Sequence, residues 1–305
     1  MAYNLENRLV VGVSSRALFD LTYENEIFER EGVKAFCDYQ VAHEKEILKP
    51  GPGFKLIKAL LQLNELKEGK DMVEVIIMSR NSADTSLRVF NSIEYYGLNI
   101  TRAVLSSGGS LAPYLNAFKT DLFLSAYEDD VQSAINSGIA AGIICNDVDS
   151  DYDATEEISQ IRIAFDGDAV LFTDESEMIY QKEGLEAFEE NERKNADKPL
   201  PQGPFAKFLK TISNIQKEFP PENVPIRTAL VTARSAPAHE RVIRTLRAWN
   251  VRIDEAFFLG GVSKRDVLEA FGAHIFFDDQ AIHTTPASEV VPSARVPYVE
   301  KDKSK

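Results

Sequence analysis

Two cysteines in 305 residues, Cys37 and Cys145, stand far apart and in no metal-ligand spacing. A disulfide framework is therefore excluded as the basis of the fold, and a reducing compartment is expected. No apolar run approaches the roughly 18 residues needed to span a bilayer. The opening MAYNLENRLVVGVSS lacks a basic stretch followed by a long apolar one, so no signal peptide is expected there. The four histidines (His43, His239, His274, His283) show no catalytic or metal spacing, and no G-x-S-x-G elbow appears, which argues against a serine hydrolase. Excess basic charge is missing too. The formal net charge is −14, and a surface that acidic repels a phosphate backbone, so no nucleic-acid partner is expected. An acidic protein that binds an anion must concentrate positive charge locally.

What is present suits a globular chain with a sizeable core: 44% hydrophobic and 27% charged residues. Short apolar runs, LVVGV (9–13), VEVIIM (73–78), IRIAF (161–165), IRTALV (226–231) and HIFFDD (274–279), read as buried strands. Amphipathic stretches such as 53–66 and 239–250 read as helices between them. This alternation predicts an α/β fold with a parallel sheet covered on both faces. The chain also repeats itself. Setting Ser14 against Asp166 aligns the halves without a gap for about 45 residues, through pairs such as Ile27/Ile179, Gly32/Gly184, Phe36/Phe188 and Gly51/Gly203. One residue further out of step, the match resumes with Ser82/Ser235, Arg88/Arg241, Gly108/Gly261 and Phe123/Phe276. The expectation is a duplication into two Rossmann-like halves, 1–150 and 151–305. The acidic NDVDSDYDATEE marks the join, and the terminal KDKSK reads as a solvated tail.

The chemistry gathers in the second half, at the ends of its strands. IAFDGDAVLF places Asp166 and Asp168 just past one strand, LVTARS places Thr232, Ala233 and Ser235 past the next, GGVSKRDVL opens a helix with Lys264, and IFFDDQ ends a strand with Asp278 and Asp279. In a parallel sheet these edges share one side, where ligands bind. Carboxylates crowded there repel one another unless a divalent cation sits among them, and hard oxygen ligands suit Mg²⁺. Asp166, Asp168, Asp278 and Asp279 are therefore the candidate metal set. Asp166 is the candidate nucleophile toward phosphorus, and Asp168 the candidate acid and base. Thr232, Ala233 and Lys264 are the candidate phosphate binders. Singly, each has a plainer reading: Asp-Gly-Asp as a surface turn, Asp-Asp as a helix cap, Lys264 as a solvated helix start. Jointly, Asp-x-Asp, then Thr, then Lys, then Asp-Asp is the order of the haloacid-dehalogenase-like (HAD-like) phosphohydrolases, which this half resembles.

The first half carries Ser14, Arg16, Ser79, Leu111, Ser125 and Ala126 at the matching positions. It reads as the same fold without the reaction, with a regulatory anion site around Ser14, Arg16 and Ser79 as a hypothesis. The longer runs VGVSSRALF, VAHEKE, PGPGF, AFDGDAVLFTDESE, NADKPLPQGP, LVTARSA and HIFFDDQ are similar to the cytosolic 5′-nucleotidase I family, over residues 9 to 299. The resemblance implies a cytoplasmic, Mg²⁺-dependent hydrolase of nucleoside 5′-monophosphates, AMP or deoxynucleotides, working through an aspartyl-phosphate. It also implies homo-oligomers and nucleotide effectors among its members; no membrane partner is expected, since no long apolar run is present. A phosphatase or phosphotransferase for another small ester, and a silent nucleotide-binding regulator, are the alternatives. A small helical cap is expected at about 174–225, with Met178, Ile179, Leu185 and Phe188 as its packing face. Arg234 reads either as a further phosphate contact or as a surface ion-pair partner.

Overall fold

The computed structural model describes residues 5–144 and 157–300. The expected linker, apart from Glu157, lies outside the described residues, as do Cys145 and the KDKSK tail. Among the described residues no helix is long and apolar enough to cross a membrane.

The chain divides into two compact units. The first runs to Ile139; the second holds Ala140–Ile144 and the chain from Ser159 onward. In the first unit β1 (Leu9–Val13), α1 (Ser15–Leu18), α2 (Thr22–Ala42), α3 (Phe54–Gln62), β2 (Val73–Ser79), α4 (Leu87–Tyr95), β3 (Arg102–Leu105), α5 (Ala112–Ala117), β4 (Leu122–Ser125) and α6 (Glu128–Asn136) follow in order. The second contains β5 (Ala140–Ile144), β6 (Ile161–Phe165), α7 (Glu175–Lys194), α8 (Ala206–Gln216), β7 (Ile226–Thr232), α9 (His239–Ala248), β8 (Glu255–Phe258), α10 (Lys264–Phe271), β9 (Ile275–Asp278), α11 (Ala281–Ser288) and β10 (Ser293–Arg295). This is a mixed α/β architecture with mostly parallel pairing.

Within the first unit the strand order is β3-β2-β1-β4, all parallel. Within the second it is β5-β10-β9-β6-β7-β8, parallel except where β5 meets β10. The runs β3-β2-β1-β4 and β8-β7-β6-β9 thus share order and direction. Their registers also correspond: Leu9 faces Val73 and Ile161 faces Ile226; Ile76 faces Arg102 and Ala229 faces Glu255. Val-, Ile- and Phe-rich β1, β2 and β9 are buried along their whole length, as continuous apolar runs require.

Both long helices bend at a glycine. Gly32 in α2 has φ 84° and ψ −178°, and Gly184 in α7 has φ 86° and ψ −177°. That conformation is open to glycine and strained for any residue with a Cβ. The bend changes one sequence expectation. A straight α7 would bury Met178, Ile179, Leu185 and Phe188 together, but past the bend Leu185 is 58% exposed, Met178 and Ile179 are half-buried, and Phe188 alone of the four is buried. The placement of residues 140–144 in the first half also changes. Once extended they pair antiparallel with β10, Ala294 opposite Ile144, and so join the second unit.

Candidate active site

The site is built on an aromatic floor. Phe165 and Phe277, the residues just before Asp166 and Asp278, stack at 5.8 Å and 16°, and Phe205 and Phe208 close around them. All four rings are fully buried. The strand ends above them are therefore held to one geometry. The Asp166 backbone N–H donates to the Phe277 carbonyl (2.8 Å), which locks the β6 edge to the β9 edge.

After Asp166 the chain makes a π turn, with the Phe172 N–H reaching back five residues to the Gly167 carbonyl (2.9 Å) and Ala169 at φ 59°. Positive-φ non-glycine residues such as Ala169 concentrate at functional sites, because tertiary contacts must hold them in place. Gly167 keeps this turn close to β7: a Cβ there would stand 3.3 Å from Thr232 Oγ1, a tight contact.

Lys264 opens α10, whose cap Ser263 accepts from the Arg265 N–H. The Lys264 side chain is buried between two carboxylates, 2.7 Å from Asp166 Oδ1 and 2.6 Å from Asp278 Oδ2. Burial acts to lower its pKa, but the two aspartates outweigh that and push it up to about 12. The carboxylates move the other way. Burial raises Asp166 to about 6 against the pull of Lys264, and raises Asp278 as well. Asp279 reaches about 7 through burial, with Asp166 and Asp278 adding repulsion and the Tyr298 hydroxyl opposing. Crowded anions in a dry site favour protons, or a cation in their place.

Oxygen atoms of Asp166, Asp278 and Asp279 all lie within 4.8 Å of one another. Tyr298 donates to Asp279 Oδ2, while Asp279 Oδ1 is buried with no hydrogen-bond partner among the described residues. An all-carboxylate set with an orphaned buried oxygen fits a hard divalent cation. The fourth expected ligand is placed elsewhere. The Asp168 carboxylate turns to Arg234, which grips it with Nε–Oδ2 at 2.7 Å and Nη2–Oδ1 at 2.6 Å.

Arg234 is thus no surface residue: it is 5% exposed, and its Nη1 donates to the fully buried Glu192 (2.6 Å). Arg241 takes the other oxygen of Glu192 at 2.8 Å. The Arg234 guanidinium also lies 5.3 Å from the Phe188 ring centroid. Thr232 ends β7, buried, and its Oγ1 accepts from the Arg234 N–H at 3.3 Å; Ala233 beside it is exposed. Sequence reasoning missed Glu192, Arg241 and Tyr298 as parts of the site. Of these, only Arg241 left a trace, as the partner of Arg88 in the repeat.

The sequence model of the 5′-nucleotidase family matches residues 1–303. The chain is 39% identical over 295 residues to human cytosolic 5′-nucleotidase 1B; the match covers 93% of this chain and 48% of that protein. It therefore spans about half the length of the curated relative it matches.

Proposed function

Because the chain belongs to the 5′-nucleotidase family, we propose that it hydrolyses nucleoside 5′-monophosphates to nucleoside and phosphate at the β6/β9 carboxylate site. The observation that carries this reading is the buried Asp166, flanked by Lys264 and by two carboxylates that, with it, fit a divalent cation. In the reading Asp166, Asp278 and Asp279 hold Mg²⁺, and Asp168 stands beside them. When bound, the cation neutralises phosphate charge so that an anionic nucleophile can approach.

The residues then divide the work. An Asp166 oxygen attacks phosphorus, the bond from phosphorus to the 5′ oxygen breaks, and the leaving oxygen takes a proton from Asp168. Water next attacks the aspartyl-phosphate, gives its proton to Asp168, and frees the Asp166 carboxylate together with phosphate. Both Asp168 oxygens accept from Arg234 in the structure. Asp168 must exchange one of these bonds for the leaving group, so Arg234 positions the acid/base residue. Thr232, Ala233 and Lys264 hold the phosphate oxygens.

The segment from about 174 to 225 is proposed as a cap that limits water, with Glu192 of α7 anchoring it to Arg234. The two units are proposed to descend from one duplicated Rossmann-like, HAD-like unit. Shared strand order, shared register and the paired bends at Gly32 and Gly184 support that. AMP or a deoxynucleotide as substrate, a cytoplasmic setting, homo-oligomers and a nucleotide effector follow from the family resemblance, and remain part of the proposal.

The test is phosphate release from a panel of nucleoside monophosphates and sugar phosphates, with Mg²⁺ or chelator, for wild type and Asp166→Asn. Mg²⁺-dependent release that favours a nucleotide and disappears in the variant supports the reading. Activity surviving in Asp166→Asn overturns the nucleophile; a preference for sugar phosphates overturns the substrate.

A further inference from the structure

The first unit holds a cavity of about 480 Å³ at the ends of β1 and β2, within the range of small-molecule sites, ~300–1,000 Å³. Its polar end is formed by Ser14, Arg16, Ser79 and Ser82, and its apolar wall includes Phe28 and Phe36. Ser14, Arg16 and Ser79 occupy the positions that Asp166, Asp168 and Thr232 occupy in the second unit. The bend at Gly32 lets residues on both sides of it, Phe28 before and Phe36 after, face one cavity.

One difference between the units bears directly on the open space. In the second unit Arg234 crosses toward α7 and covers Phe188. The first-unit position matching Arg234 is Asn81, whose shorter side chain cannot make that crossing, and Phe36, the counterpart of Phe188, lines the cavity instead. The charge balance has changed as well. Arg80 is paired with Asp130 at 2.6 Å. Arg16 meets no carboxylate among the described residues: its Nη1 donates to Asn25 Oδ1 at 2.9 Å, and its guanidinium lies 4.9 Å from the Tyr127 ring centroid. The carboxylates that call for a metal in the second unit are replaced here by hydroxyls and a guanidinium, which bind phosphate directly.

We propose that this cavity is a second nucleotide site, which binds a nucleoside monophosphate without metal and without hydrolysing it. The phosphate meets Arg16 and the Ser14, Ser79 and Ser82 hydroxyls; the base lies against Phe28 and Phe36. Asp129, also in the lining, offers an acceptor for a ribose hydroxyl. With serine at position 14 and no acid at position 16, no aspartyl-phosphate forms, so the bound nucleotide persists. The choice of nucleotide rests on the function proposed above.

The experiment is AMP binding to the full chain carrying Asp166→Asn, in excess chelator, by titration calorimetry. One AMP per chain is expected, displaced by inorganic phosphate and weakened at least tenfold by Arg16→Ala or Phe36→Ala. Arg16→Gln, with a circular-dichroism melt, guards against a variant that simply unfolds. Asn81→Arg combined with Gln40→Glu rebuilds the second unit's crossing arginine and should fill the cavity and abolish binding. No AMP binding in chelator, or binding that these substitutions leave unchanged, overturns the proposal. Wild-type phosphate release is measured separately. If that release is missing while metal-free binding persists, the proposed hydrolysis fails and the second site stands.

Discussion

In the first unit the buried Arg88 takes its negative partner from Glu24, at 2.5 Å, with the neutral Gln40 at 3.5 Å. In the second unit Arg241 takes it from Glu192, at 2.8 Å, with the neutral Ser176 donating to the same carboxylate. Glu24 and Ser176 match in the repeat, as do Gln40 and Glu192. Each arginine also donates to a backbone carbonyl, of Glu46 and Lys198, at matching positions. A buried guanidinium needs one carboxylate, and either helix position can supply it. Where the charge sits matters for a second reason. At position 192 it also serves Arg234, and Arg234 holds Asp168. Moving one negative charge along α7 thus joins a structural ion pair to the site; at position 24 it remains structural only.

The sharpest contrast between the units is chemical. Asp166→Asn should lower phosphate release by about 10⁴-fold or more, while Ser14→Asp, which places a carboxylate at the matching first-unit position, should add no activity. Release assays on both variants, and on their combination, would break the comparison if Ser14→Asp restored turnover.

Next in size is the buried charge. Glu192→Gln leaves Arg234 and Arg241 without a carboxylate from α7 and should cost about 3–5 kcal/mol of stability, read by urea denaturation. Adding Ser176→Glu copies the first unit's arrangement. It should return part of the stability, by serving Arg241, but not the activity, because Arg234 and Asp168 are still unsupported. Full recovery of both would show that the position of the charge is irrelevant.

A smaller effect separates the sites by pH. Asp166 at about 6 and Asp279 at about 7 lie above the ordinary carboxylate value, so the folded metal-free chain binds more protons than the unfolded one between about pH 4 and 7. Their contribution therefore favours the fold at low pH and is lost as pH rises through 6 to 7. If Mg²⁺ binds there as proposed, it displaces those protons, and its affinity should rise about tenfold per proton released per pH unit across that window. Melting temperatures at pH 5 and pH 8, with Mg²⁺ or chelator, check both signs. Ser14→Asp supplies the control for the first unit.

The smallest expected effect tests the repeat on the surface. Glu74 pairs with Arg102 in the first unit, and Arg227 with Glu255 at 2.7 Å at the matching positions, with the signs exchanged. Arg227→Glu alone should cost up to about 1 kcal/mol, and Arg227→Glu with Glu255→Arg should return to near the wild-type midpoint.

The elements that could be read in the sequence were those with a dense local signal. Continuous Val, Ile and Phe runs marked β1, β2, β6, β7 and β9, because strands buried on both faces need apolar residues throughout. The half-buried β3 and β8 carried no such run. β5 pairs with β10, and β10 lies between β5 and β9, pairings that no local window contains. The bends at Gly32 and Gly184 were visible only as a shared glycine, so the apolar face drawn along α7 was too long.

For the site, residue type and strand-edge position marked Asp166, Asp168, Thr232, Lys264, Asp278 and Asp279 as candidates expected to converge. The order of motifs and the family resemblance narrowed the chemistry to a phosphate ester. Which carboxylates meet was decided in three dimensions. Asp166, Asp278 and Asp279 close to within 4.8 Å, whereas Asp168, two residues from Asp166, turns to Arg234. Arg234 is paired in turn with Glu192, 24 positions away from Asp168 in sequence and buried between two arginines. Local patterning selects strands and their edges because burial is a property of neighbouring residues. The partner of a buried charge is selected by desolvation and by long-range pairing, and these exist only once the chain has folded.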